Sequence, residues 1–97
     1  MPRVEITPAA AEDIARVAVT HSLPPDTKER IKRSLRPLGQ FPRLGTELEG
    51  EEWAGFRFVL GPWRWMVIVY EISDDPDRVV IVTVQDGRSS SAAPSSR

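Results

Sequence analysis

The stretch WAGFRFVLGPWRWMVIVYEISDDPDRVVIVTVQDGR, Trp53 to Arg88, decides the fold. It holds three apolar, β-branched and aromatic runs separated by turn chemistry. Phe56 to Leu60 stops at Gly61-Pro62, a pair that breaks the first run. Arg64 to Ile72 forms the second run, closed by the acidic, proline-bearing loop Ser73 to Asp77. Val79 to Val84 is the third, ended by Gln85-Asp86-Gly87-Arg88. Connections this short favour antiparallel neighbours, so the stretch is predicted to be a three-stranded meander. Alternation along the middle run puts Arg64, Met66, Ile68, Tyr70 and Ile72 on one face, and Trp65, Val67, Val69 and Glu71 on the other. Neither face is polar throughout, so one should meet helices and the other should form an open, apolar surface. In the third run Val80, Val82 and Val84 are the cleaner apolar set and are expected to face the core. Thr83 would then lie on the open side with Val79, Ile81 and Gln85. Register between the strands stays open at this point.

Upstream, Val4 and Ile6 alternate with Arg3, Glu5 and Thr7, the pattern of a short half-buried strand. Thr7-Pro8 supplies an N-cap with proline at the first helical position, and a helix is predicted over about Pro8 to Thr20. Glu12 and Asp13 sit near its start, where the helix dipole favours anions. Ile14, Val17, Ala18 and His21 share one stripe. After Leu23-Pro24-Pro25, Asp26 and Glu29 have capping-box spacing for a second helix, with Ile31, Leu35 and Leu38 as its buried edge. Pro37 should end that helix near Arg36. Its outward side is basic, with Lys28, Lys32 and Arg36 at four-residue spacing and Arg30 and Arg33 beside them. Residues 39–52 are expected to be a linker anchored by Phe41-Pro42 and Leu44, ending in Glu47, Glu49, Glu51 and Glu52.

The predicted fold is therefore α+β, in the order β-α-α-β-β-β. A helical hairpin packs on one face of a small, mainly antiparallel sheet. With 97 residues the chain is one domain over 1–88, followed by a polar, low-complexity tail, 89–97, expected to be flexible. It contains no cysteine, which excludes disulfides and thiolate metal sites and suits a reducing cytoplasm. Neither a signal-peptide pattern nor an apolar run long enough to span a bilayer is evident, so a cytoplasmic location is expected. Net charge is −1. Residues 1–46 carry eight Arg or Lys against five Asp or Glu, while 47–97 carry five against nine. A chain without overall basic excess is not an obvious autonomous nucleic-acid binder.

The ordered set "ITPAAAEDI", "PRLGTELEG", "GFRFVLGPWR", "VYEI" and "VQDGR", spread over about residues 3–88, resembles the RelE/ParE toxin superfamily of bacterial type II toxin–antitoxin pairs. The resemblance implies a toxin neutralised by a cognate antitoxin that wraps across the open sheet face and the helices. It further implies growth inhibition by ribosome-dependent mRNA cleavage, with DNA gyrase poisoning or loss of toxicity as alternatives. Position by position, Arg57 matches the arginine of the family's first meander strand, Arg64 the arginine after the turn, Tyr70 the tyrosine that ends the next strand and Arg88 the basic residue after the last one. Phosphodiester cleavage needs cations for the developing charge and a placed acid and base, so those three arginines are the candidate catalytic residues. No His or Tyr follows Arg88 where cleaving members often keep a general acid, and this favours the gyrase alternative.

Each candidate has a plainer explanation. The arginines could be solvated strand ends, with Arg64 stacked on Trp63 or Trp65. His21 suits a capping or packing role better than catalysis, and Tyr70 suits the core. Lys28, Lys32 and Arg36 could bind a partner or line a solvated helix face. Trp63 and Trp65, with Trp53, suggest an interaction surface or core-edge packing in equal measure. One histidine and no cysteine give no metal constellation, and no cofactor motif is present. A homodimer is the expected state if the apolar face lacks its partner.

Overall fold

The computed structural model describes residues 3–74 and 77–88; the polar tail and the centre of the acidic loop lie outside them. Strand β1 is Arg3–Ile6, helix α1 Pro8–Thr20, helix α2 Thr27–Leu35 and the short helix α3 Pro37–Gln40. Strand β2 is Thr46–Glu47, β3 Phe56–Leu60, β4 Met66–Asp74 and β5 Asp77–Asp86. They form one five-stranded sheet in the order β1-β5-β4-β3-β2. The predicted meander is β3-β4-β5, antiparallel throughout, and β1 joins its β5 edge in parallel. The pair β2 was not foreseen inside the linker; it lies antiparallel on β3.

Helix α1 has its predicted bounds because Thr7 caps it. The Thr7 hydroxyl accepts from the Ala10 N–H at 3.1 Å and donates to the Ile81 carbonyl at 2.9 Å, so the cap also fastens the helix to β5. Ser22, at φ 51°, ends α1, with the Leu23 N–H returning to the Ala18 carbonyl. Ala10, Ile14 and Val17 of α1, Ile31 and Leu35 of α2, and Leu38 of α3 are buried against Met66, Ile68, Tyr70, Val79, Ile81 and Val84.

Three expectations need correction. The capping box of α2 does not form: Asp26 makes no cap hydrogen bond and instead accepts from Arg30 Nε at 3.0 Å, while the Thr27 hydroxyl donates to the Pro24 carbonyl. Phe41 and Leu44 do not anchor the linker, being 61% and 59% exposed; Leu48, at 7%, does. Thirdly, the core face of β5 is not the Val80–Val82–Val84 set. Tyr70 pairs with Ile81 and Val69 with Thr83, which leaves Val82 as one extra residue in β5. This β-bulge reverses the alternation partway along the strand. Val79 and Ile81 face the helices before it, Val84 and Asp86 after it; Val80 belongs to the open side with Glu71. A run rich in valine on both faces conceals such a switch.

The bulge leaves backbone beyond the end of β1 to be satisfied, and Asp13 does so from α1. Its Oδ2 accepts from the Thr83 hydroxyl at 2.6 Å and the Val84 N–H at 3.2 Å, and Oδ1 from Arg16 at 2.8 Å. Burial pushes the Asp13 carboxyl up, but these hydrogen bonds outweigh it and hold the group below its ordinary range. Asp13 is thus a link to the sheet rather than an anion serving the helix dipole. Because the folded-state value is depressed, this stabilisation is complete above the unfolded value near 4 and is lost as pH falls through the folded one. Asp13→Asn should cost about 1–2 kcal/mol at neutral pH. Denaturant titrations at several pH values should show a smaller loss on acidification below about pH 4 than in the parent chain.

Candidate functional site

The three candidate arginines occupy two places. Arg57 opposes Tyr70 in the β3–β4 register, so both face the helix side of the sheet, beyond the helices themselves. There they hold residues 42–47. Tyr70, fully buried, donates its hydroxyl to the Pro42 carbonyl at 2.6 Å and accepts from the Gly45 N–H at 2.8 Å. Arg57 donates to the carbonyls of Gly45 at 2.8 Å and Arg43 at 3.2 Å, and pairs with Glu47 at 3.1 Å. Gly45 is required by this close approach: a Cβ there would sit 2.6 Å from both the Phe58 carbonyl and the Tyr70 hydroxyl. Burial raises the Tyr70 phenol above its ordinary range, although the Gly45 N–H and the Arg57 charge pull it down. Its role matches the core reading made from sequence.

Arg64 and Arg88 share the far end of the sheet, where Met66 pairs with Asp86. From Met66 to Tyr70 along β4 is four residues, roughly 13 Å of strand, so Arg57 is well removed from them. That end is built on aromatic rings. Trp63 and Trp65 stack at 6.3 Å between centroids, and His21 at the end of α1 stacks on Trp65 at 4.1 Å. Arg30 of α2 lies over Trp63 at 5.9 Å and Arg88 over Trp65 at 5.4 Å. His21 Nε2 lies 3.0 Å from Asp86 Oδ2, a contact that exists because the bulge turns Asp86 toward α1. The Asp86 carboxyl is held below its ordinary range, first by the Arg88 N–H and then by the Arg88 guanidinium and His21. His21 is therefore a packing group with a polar partner, and only its contact across 65 residues of sequence was hidden. Arg64 is exposed at the turn and, among the described residues, forms no ion pair.

The basic side of α2 is divided between two surfaces. Lys28, Lys32 and Arg36 rim an open groove of about 1010 Å³ between α1, α2 and β1, floored by Ile6, Ile14, Ala18 and Leu23. Val19, 81% exposed, stands at its edge. Arg30 and Arg33 lie on the other flank, lining a depression of about 380 Å³ with Asp26, Ser34 and Pro62. The sheet face away from the helices carries Phe56, Phe58, Leu60 and Val67 around the buried Val69, with Leu60 52% exposed. No helix among the described residues is long and apolar enough to cross a membrane. They also contain no cluster of three or more His, Asp or Glu that could hold a metal.

A helical pair backed onto a small five-stranded mixed sheet is the architecture of RelE/ParE-type toxin domains. Residues 4–90 match the family described as the ParE toxin of the type II toxin–antitoxin system parDE, and the chain belongs to that family. No curated protein sequence matches significantly. Among solved structures, the chain is similar to one in the RelBE2 toxin–antitoxin complex of Mycobacterium tuberculosis, with 25% identity over 88% of this chain and 90% of that one, and a TM-score of 0.62. It shares its fold with a chain of the chromosomal ParDE system of P. aeruginosa, at 18% identity, coverage of 89% and 96%, and a TM-score of 0.64. A conserved hypothetical protein of Helicobacter pylori has the same fold at 14% identity, coverage of 91% and 97%, and a TM-score of 0.59.

If the Tyr70 clasp orders residues 42–47, Tyr70→Phe strands the Gly45 N–H and the Pro42 carbonyl. The expected cost is about 2–3 kcal/mol in chemical denaturation. Amide exchange should accelerate first at Gly45 and in β2.

Proposed function

We propose that this toxin arrests growth by binding its target, DNA gyrase, and not by cleaving mRNA, and that a cognate antitoxin restrains it in the cytoplasm. One observation carries the choice of mechanism. Arg57 and Tyr70, which match positions of the family's motifs, are both engaged in holding residues 42–47, with the Tyr70 hydroxyl satisfied by two backbone groups. Neither is poised to meet a phosphodiester. Cleavage would rest on Arg64 and Arg88, which share the sheet end with His21 and Asp86, a pair engaged with each other; this is the second reading. Catalytic use of Arg57, Arg64 and Arg88 belongs to that reading alone.

The groove between α1 and α2 suits the antitoxin. Its floor is apolar and its rim carries Lys28, Lys32 and Arg36, a combination that fits an amphipathic segment with acidic edges. The open sheet face would gain from the same partner, since apolar surface of this kind otherwise favours self-association into a homodimer.

Expression without an antitoxin should stop growth with double-strand DNA breaks and intact transcripts. Cut transcripts with intact DNA would transfer the assignment to ribosome-dependent cleavage. Absence of any growth effect would mark a non-toxic family member. In vitro, Lys28→Glu with Lys32→Glu should weaken antitoxin binding roughly tenfold, more so at low salt.

A further inference from the structure

We infer that the 3₁₀ turn Pro42–Leu44, with Phe41 before it, is the element that docks on gyrase, through the exposed side chains of Phe41 and Leu44. The inference rests on the proposed action on gyrase and gives it a contact surface apart from the groove between α1 and α2.

The backbone of this segment is fixed group by group. The Phe41 N–H donates to the Pro37 carbonyl at 2.8 Å, and the Leu44 N–H to the Phe41 carbonyl at 3.0 Å. Tyr70 donates to the Pro42 carbonyl, Arg57 donates to those of Arg43 and Gly45, and the Gly45 N–H donates to the Tyr70 hydroxyl. Pro42 removes a further backbone torsion. Yet the two large apolar side chains carried on this mount face solvent, at 61% and 59% exposure. In a 3₁₀ turn, residues three apart lie one above the other, so Phe41 and Leu44 stand together as one patch. Single surface hydrophobes are ordinary, but an aromatic and an aliphatic group paired on a rigid turn have the form of an interface anchor. The loop is ordered on folding, so little conformational freedom is left to lose on docking.

Charge selects the occupant. Residues 41–52 carry one cation, Arg43, against Glu47, Glu49, Glu51 and Glu52. All four glutamates are exposed, and only Glu47 has an ion-pair partner among the described residues. Such a field repels phosphates, so the turn does not suit a nucleic acid. It equally repels an antitoxin segment with acidic edges, which the rim of Lys28, Lys32 and Arg36 attracts to the groove instead. The surface that fits is a folded protein with an apolar pocket bordered by basic groups. Gyrase must hold DNA, and an enzyme that does so carries basic surface along the DNA path. Phe41 and Leu44 would fill the pocket while the glutamates meet its basic border.

The purified full chain should be tested against gyrase holoenzyme by biolayer interferometry and by linearisation of supercoiled plasmid. The parent chain should bind gyrase and raise the linear fraction. Phe41→Ser with Leu44→Ser should weaken gyrase binding about tenfold or more. The same variant should keep antitoxin affinity within about twofold and keep the parent's denaturation midpoint, because both side chains are exposed. Phe41→Leu with Leu44→Met should recover most of the loss, since apolar surface returns. Glu49→Gln, Glu51→Gln and Glu52→Gln together should slow association with gyrase several-fold at low salt and little at high salt. A double serine variant that binds gyrase as the parent does overturns the inference and leaves the gyrase reading standing. Failure of the parent chain to bind gyrase overturns both. Equal loss of antitoxin binding would assign the turn to the antitoxin, and a parent dimer that the serine variant dissolves would assign it to a second copy. Either result overturns the inference.

Discussion

The extra residue in β5 opposite the Val69–Tyr70 step governs which side chains the helices meet. Strict alternation from Val79 and Ile81 would continue to Thr83 and Gln85, placing a hydroxyl and an amide against Ile14 and Val17. One bulged residue substitutes Val84 and Asp86. Val84 then completes the apolar layer at 2% exposure, and Asp86 arrives at the end of α1 to meet His21. The cost of the irregularity falls on backbone groups, and Asp13 offsets it with a carboxylate that takes the Val84 N–H. Core composition, helix docking and the aromatic end of the sheet thus follow from one local change of register.

A second constraint shapes the opposite part of the sheet. Around Arg57 and the Tyr70 hydroxyl the core face is covered by residues 42–47, which open with the 3₁₀ turn Pro42–Leu44. The segment contributes little apolar surface, since Phe41 and Leu44 point to solvent. Polar contacts therefore fix it: a phenol reading two backbone groups and a guanidinium reading two carbonyls and a carboxylate. These side chains order the segment that covers this part of the sheet.

Much of this was legible in the chain itself. Thr7-Pro8 fixed the start of α1, Pro37 the end of α2, and the turn chemistry at 61–62 and 86–87 the meander, because each acts through local backbone geometry. The stripe Ile31, Leu35 and Leu38 was equally plain. What escaped depended on contacts between distant residues. VVIVTV offers apolar side chains to both faces, so alternation alone could not reveal Val82 as the extra residue. Strand β2 has two residues and no apolar pattern; its place is set by Arg57 and Tyr70. Likewise, one basic stripe on α2 could not be divided until the flanks of the helix had neighbours: α1 and β1 on one side, Pro62 and Trp63 on the other.

That division gives α2 two separate flanks on which a partner could sit. A ligand lodged between α1 and α2 touches Lys28, Lys32 and Arg36 but leaves Arg30 and Arg33 open to solvent. Two macromolecules can thus grip opposite sides of the same nine-residue rod without contesting a single side chain.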